Sequence, residues 1–184
     1  MEVRGSIISN IKAYVEKVHK REFDKWLNAL STESQELMDR PTSSKWYPIE
    51  EGILEPTQKM CELFYNGDAK EGSWLSGRFS AEVGLTGIYK VFVLISSPAF
   101  LMKRASRILA TFYSPTEVEV VNSTDKSMVV HFTKLPTKSE YLEYRIAGWM
   151  EKALEICGCK DLSITTPKSI ARGDNYFEVN ISWR

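Results

Sequence analysis

Apolar positions recur every three or four residues through the first two thirds of the chain, and every second residue through much of the last third. Ile7, Ile11, Tyr14, Val15 and Val18 make one helical stripe, and Phe23, Trp26, Leu27 and Leu30 make a second. Thr32 and Gln35 stand at capping-box spacing before a short helix that should end near Arg40-Pro41. Pro48 suits the first position of the next helix, with Glu50 and Glu51 favourable in its first turn. Pro56 must then kink or restart that helix, because its ring removes a backbone donor. Leu75, Phe79 and Val83 predict a helix from Ala69 to Gly84, and Leu101, Ala105, Ile108 and Phe112 predict one from Pro98 to Tyr113.

The period then changes. Val118 and Val120 alternate with Glu117 and Glu119, and Met128, Val130 and Phe132 alternate with Ser127, Val129, His131 and Thr133. Asn122 to Lys126 supplies turn residues between them, so the pair reads as a hairpin. Thr137 and Glu140 have capping-box spacing before a helix whose stripe is Leu142, Ile146, Trp149, Met150, Ala153, Leu154 and Cys157, with Gly158 placed to end it. Two strands follow, around Leu162 to Ile164 and Phe177 to Trp183, hinged on Arg172-Gly173-Asp174-Asn175. The expected architecture is α+β. A single domain spans 1–184, with a mainly helical 1–113 packed on the antiparallel sheet of a hairpin–helix–hairpin unit at 114–184.

Composition narrows the function classes. The 184 residues, 43% hydrophobic and 26% charged, describe an ordinary globular chain with a sizeable core. Lysine plus arginine equals aspartate plus glutamate, 24 each, so no overall field recruits nucleic acid or an anionic membrane. The run Val91 to Met102 is too short to span a bilayer, and the first residues show no cationic leader with an apolar core behind it. Three cysteines are an odd, sparse set for a disulfide scaffold, and the expected location is the cytoplasm.

Candidate chemistry is thin. Cys157-Gly158-Cys159 lacks further thiol or imidazole ligands nearby in sequence, so Gly158 reads as a helix cap and no zinc is expected. His131 has no identifiable partner to make it a general base. Glu50 and Glu51 diverge by about 100° on a helix, and Arg172-Gly173-Asp174 is a turn. The glycines between Gly67 and Gly87 lack phosphate-loop spacing. A pocket is the remaining idea. Trp74, Arg78, Tyr89, Phe92, Phe100 and Arg104 fall in the central region that should cover the sheet, where apolar walls and one or two cations suit an aromatic or amphipathic anion. Trp74 and Arg78 are one turn apart, at stacking distance for a cation–π pair.

Several local strings resemble a known group: Ser43-Ser44-Lys45-Trp46-Tyr47-Pro48, Gly87 to Phe92, Ser97-Pro98-Ala99-Phe100, Arg145-Ile146-Ala147-Gly148-Trp149 and the Gly173-Asp174 strand. They resemble a bacterial family of uncharacterised proteins that looks like a branch of the 4-vinyl reductase domain group. That group shares a fold with the haem nitric-oxide sensors and with Golgi transport-particle subunits. The resemblance implies a ligand-binding or interaction module more than an enzyme. Where family-like endings carry cysteines around the Gly-Asp turn, this chain has Ser169 and Phe177, so a thiol site is not implied. The haem sensors' helical histidine and Tyr-x-Ser-x-Arg string find no match, with His19 on an N-terminal helix and His131 on a strand. No haem, and no other cofactor, is therefore expected.

The reading is a non-enzymatic sensory domain that binds a small hydrophobic or aromatic molecule between helices and sheet, and signals through a protein partner or a homodimer. The alternative is a ligand-free homodimeric scaffold using the helical surface or the polar sheet face of Glu117, Glu119, His131 and Glu178. A reductase-like enzyme rests on fold analogy alone.

Overall fold

The computed structural model describes residues 1–85, 100 and 108–184. Its helices are α1 (Gly5–Val18), α2 (Phe23–Asn28), α3 (Thr32–Asp39), α4 (Glu55–Phe64), α5 (Ala69–Gly84) and α6 (Glu140–Ile156), with residues 108–112 also helical. Its strands are β1 (Glu2–Arg4), β2 (Trp46–Pro48), β3 (Tyr113–Ser114), β4 (Glu117–Ser123), β5 (Ser127–Lys134), β6 (Ser163–Lys168) and β7 (Phe177–Ser182). The arrangement is α+β, as the change of period implied. A four-stranded antiparallel sheet in the order β4-β5-β7-β6 is built from the two expected hairpins. Met128, Val130 and Phe132 of β5 and Phe177, Val179 and Ile181 of β7 are buried, and their registers place Phe132 opposite Phe177 and Val130 opposite Val179. Both edge strands are irregular. β4 shifts register twice against β5, and β6 bulges between Thr165 and Lys168, at Pro167.

A second sheet was not visible in the pattern. β1 lies between β2 and β3, with Val3 opposite both Tyr47 and Tyr113. Strands of two or three residues are too short to show alternation. Pro48, expected to open a helix, instead ends β2 opposite Glu2. A π-helical stretch, Glu50–Leu54, leads into α4, and Pro56 sits near the start of that helix, where its missing donor is harmless. Two caps also differ from expectation. Ser31, not Thr32, caps α3 by accepting from the Ser34 amide, and Glu55 accepts from the Ser31 amide and hydroxyl at 2.7 and 2.6 Å. Ser139 rather than Thr137 precedes α6, and it makes no side-chain cap bond.

The end of α6 follows the sequence closely. Gly158 has φ +98°, and the paired bonds from Gly158 N to Glu155 O and from Cys159 N to Leu154 O form a Schellman cap. Helix α5 keeps its expected bounds but turns a different face inward. Leu75 and Val83 are 39% and 43% exposed, whereas Gly72, Ser73, Ser76, Gly77, Ser80 and Ala81 are buried. Small residues face inward because α6 lies almost against the backbone of α5. A Cβ at Gly77 would stand 2.0 Å from the Arg145 carbonyl oxygen, and one at Gly148 would stand 2.2 Å from that of Trp74. Helix α6 is therefore enclosed on two sides, with Leu142, Ile146, Met150, Ala153 and Leu154 in the core and Glu143, Arg145, Ala147 and Gly148 also buried.

Replacing Gly77 or Gly148 with alanine should lower stability by about 1–3 kcal/mol, because neither backbone can yield to a new methyl group without parting the helices. Gly84→Ala, whose new Cβ meets nothing within 4 Å among the described residues, should instead be neutral or raise stability by about 0.5 kcal/mol. Urea unfolding of the three variants checks both expectations.

Candidate functional site

Where α5 and α6 approach so closely, the space beyond their contact is left to a cavity of about 410 Å3. It lies among helices rather than between helices and the four-stranded sheet, where a pocket was expected. Its described walls come from α1 (Ile7, Asn10), α5 (Gly77, Ser80, Gly84), residues 108–113 (Leu109, Phe112, Tyr113) and α6 (Arg145, Ile146, Trp149), with Leu85 beside them. The lining is largely apolar, and the volume falls within the roughly 300–1,000 Å3 of small-molecule sites. The small sheet positions one wall, since β3 follows directly on helical residues 108–112 and pairs with β1, from which α1 starts.

Polar groups interrupt the apolar wall, Asn10, Ser80 and Arg145 among them. Asn10 Nδ2 donates to Ser80 Oγ at 2.9 Å, joining α1 to α5. Arg145 Nη1 donates to Ser76 Oγ at 2.8 Å, and Ser76 Oγ donates in turn to the Ser73 carbonyl at 2.9 Å. Arg145 is 2% exposed. Among the described residues it is the one charged side chain lining the cavity. Sequence reasoning missed it, although a signal was present: Arg145 falls three residues after Leu142 and four before Trp149, inside the apolar stripe of its helix.

The residues expected to line a pocket are distributed otherwise. Trp74 Nε1 donates to Glu151 Oε2 at 2.7 Å, and Arg78 pairs with both Glu151 and Glu155, the latter at 2.8 Å. These groups form a polar clasp that fastens α5 to α6, and neither Trp74 nor Arg78 lines the cavity. Among the described residues the cation over the Trp74 ring is Lys70, at 5.8 Å, rather than Arg78. Phe100 is 54% exposed, and Tyr89, Phe92 and Arg104 lie outside the described residues.

The histidines and cysteines are engaged elsewhere. His19 caps the end of α1, stacks on Phe64 with ring centroids 4.2 Å apart, and lies 3.1 Å from the Tyr65 hydroxyl, which in turn meets the Tyr14 hydroxyl. Burial lowers the His19 pKa and raises that of Tyr14. His131 does have a partner: its Nε2 is 2.9 Å from Glu178 Oε2, directly across the β5–β7 pair, and its ring stacks on Tyr176. Burial pushes the Cys61 and Cys159 thiols up to about 11, away from the reactive thiolate form. Among the described residues no group of three or more His, Cys, Asp or Glu side chains is placed to hold a metal ion, and no described helix is long and apolar enough to cross a membrane.

No protein-family model matches the sequence, and no curated protein matches it. Solved structures do match the fold. An H-NOX protein from S. oneidensis in the Fe(II)NO ligation state superposes with a TM-score of 0.75 at 13% identity, over 98% of this chain and 99% of that one. An Fe(II) unliganded H-NOX protein from K. algicida gives 0.71 at 15% identity, over 98% and 96%. A structure described as probing the function of heme distortion in the H-NOX family gives 0.73 at 13%, over 98% and 95%. At these identities the likeness establishes the fold, the one shared with the haem nitric-oxide sensors. It does not support the narrower 4-vinyl reductase assignment.

The same neighbours correct the expectation of no haem. That expectation rested on missing local strings, and the whole chain nevertheless takes the architecture of proteins described by their haem. For such a group the described cavity supplies apolar walls and one buried guanidinium. Neither histidine of the chain lines it; of the residue types that ligate haem iron, Tyr113 is the one among its described walls.

Burial pushes the Glu155 carboxyl up, but hydrogen bonds from Arg78 and Lys152 outweigh it and leave the pKa below the ordinary value. The stability from this pairing is therefore complete above the ordinary carboxylate range and disappears as pH falls through the lowered value. Arg78→Met should cost about 1–3 kcal/mol near neutral pH and flatten the acid side of the stability profile. Urea midpoints of both proteins across an acid-to-neutral pH series check this.

Proposed function

We propose that this chain is a sensory domain that holds one small, largely apolar molecule in the cavity among α1, α5, α6 and residues 108–113, and acts without catalysis. The observation that carries the reading is the cavity itself, about 410 Å3 enclosed by apolar side chains in an otherwise well-packed helical layer. The H-NOX-like fold supports it, because the neighbours named for their Fe(II) and Fe(II)NO states are small-molecule binders of the same architecture. The absence of an assembled nucleophile–base pair at the described cavity walls supports the non-catalytic part.

Haem is the first ligand to test. When bound, it supplies an iron that takes up a diatomic gas. The chain's own share is to pack Ile7, Leu109, Phe112 and Trp149 on the faces of the ligand and exclude water, while the Asn10–Ser80 bond fixes the spacing of α1 and α5. Signalling follows as a population shift. A ligand that fills the cavity favours whichever wall arrangement it contacts better, and shifts the equilibrium by that difference in affinity.

Addition of ferric haem to purified protein should give a Soret band that saturates at one equivalent. Denaturing mass spectrometry of freshly purified protein should release a stoichiometric small molecule. Gly84 lines the cavity with open space at its Cβ among the described residues, so Gly84→Phe should weaken uptake by about tenfold or more without loss of stability. If haem, an apolar fluorescent dye and the extracted protein all give nothing, or if Gly84→Phe changes no uptake, the cavity is not a ligand site.

A further inference from the structure

Proteins hold haem iron through histidine, cysteine, methionine or tyrosine. Both histidines of this chain are engaged away from the cavity. His19 Nε2 lies 3.1 Å from the Tyr65 hydroxyl, and His131 Nε2 lies 2.9 Å from Glu178 Oε2. None of the three cysteines lines the cavity, and the hydroxyls of Tyr14 and Tyr65 bond each other. Tyr113 stands apart. It is 3% exposed and lines the cavity, held by strand β3, which sets it opposite Val3. Its hydroxyl bonds no described residue. Nor is that oxygen sealed: the side-chain atoms buried without a partner belong, among the described residues, to Glu51, Thr57, Arg145 and Asn180. A phenol that is neither bonded nor sealed, on a residue with almost no outer surface, opens on the space that the residue lines. There it offers an oxygen with no other partner.

We propose that Tyr113 is the axial ligand of a ferric haem in this cavity, and that this donor makes haem retention depend on the oxidation state of the iron. The proposal rests on the reading of the cavity as a haem site, and adds the residue that holds the iron and the control that follows. On binding, the Tyr113 O–H bond breaks, an iron–oxygen bond forms, and the proton passes to water. Phenolate is an anionic oxygen donor, so it favours Fe(III) over Fe(II), as the identity of an axial ligand sets the potential of the iron. A one-electron reductant therefore weakens the bond, and the phenolate takes a proton back from water as it leaves the iron. Tyr113 is suited to this exchange because its backbone is fixed on both sides: β3 pairs with β1, and the Tyr113 carbonyl accepts from Thr116 Oγ1 at 2.8 Å.

Ferric haem added to the full chain should show a phenolate-to-iron charge-transfer band, and resonance Raman excitation within it should show tyrosinate modes. Tyr113→Phe should lose the band and the modes and bind ferric haem about tenfold or more weakly, while an apolar fluorescent dye binds as before. Reduction with dithionite should weaken haem binding to the wild type by a similar factor and leave Tyr113→Phe little changed. Tyr89 and Met102 lie outside the described residues, so Tyr89→Phe and Met102→Leu are measured alongside and should keep the wild-type spectrum. Tyrosinate modes that persist in Tyr113→Phe, or a spectrum lost in either control, overturn the assignment. A ferric complex without tyrosinate modes overturns it too and leaves the haem reading standing. Equal ferric and ferrous affinity overturns the redox control. A wild type that takes up the dye but no haem overturns both the assignment and haem as the ligand, and leaves the cavity. Should Tyr113→Phe not fold, 3-fluorotyrosine in place of Tyr113 carries the test: the charge-transfer band should shift, and an unshifted band overturns the proposal.

Discussion

Helices α5 and α6 touch through their backbones, and that contact depends on hydrogen atoms at two positions where any other residue would place a carbon. Gly77 admits the Arg145 carbonyl and Gly148 admits that of Trp74. The exchange is reciprocal, since each helix offers its glycine to the other's main chain. With the two axes so close, the buried face of α5 needs only serines, glycine and alanine, and its larger residues Leu75 and Val83 stay at the surface. The four-stranded sheet contributes the other half of the core, Phe132, Phe177 and Val179 among its buried residues. Ridge-and-groove packing of large side chains would have held the helices further apart.

Three charged residues of α6 divide the work that this enclosure creates. Glu143 ties the helix to the turn between β6 and β7 through Ser169 and Ala171. Burial pushes its carboxyl up despite those bonds, so near neutral pH it holds the turn at some cost in stability. Glu151 fastens the helix to α5 at the partly exposed margin. Between them Arg145 donates to Ser76 from Nη1, while its Nε and Nη2 are buried without an acceptor among the described residues.

Much of this was legible in the residues. The change from a helical to a strand period located both C-terminal hairpins and α6, and Gly158 marked the end of that helix at its left-handed position. The bounds of α5 were legible, but its inward face was not. A stripe of Leu75, Phe79 and Val83 looks like a core face, and only the presence of α6 makes the opposite, smaller face the buried one. The three-stranded sheet joins segments more than 40 residues apart in sequence through pairs of two or three residues, which leaves no periodic trace. Large aromatics and exposed-looking arginines at helical spacing suggest a pocket around Trp74 and Arg78. The structure uses Trp74 and Arg78 as a clasp and places Arg145, hidden in an apolar stripe, at the cavity. Missing short strings argue against haem, yet a backbone can keep an architecture at 13–15% identity after such strings have gone.

The irregular margins of the larger sheet bear on its tendency to grow by strand addition. A straight outer strand exposes a row of free amides and carbonyls, and invites another chain to dock alongside as a further strand. Here the β4 side is offset twice, and the β6 side is bent at a proline that has no amide to offer. Neither margin gives an incoming strand an unbroken ladder to join. The face between these margins is fastened by side chains instead, with His131 paired to Glu178 and stacked on Tyr176.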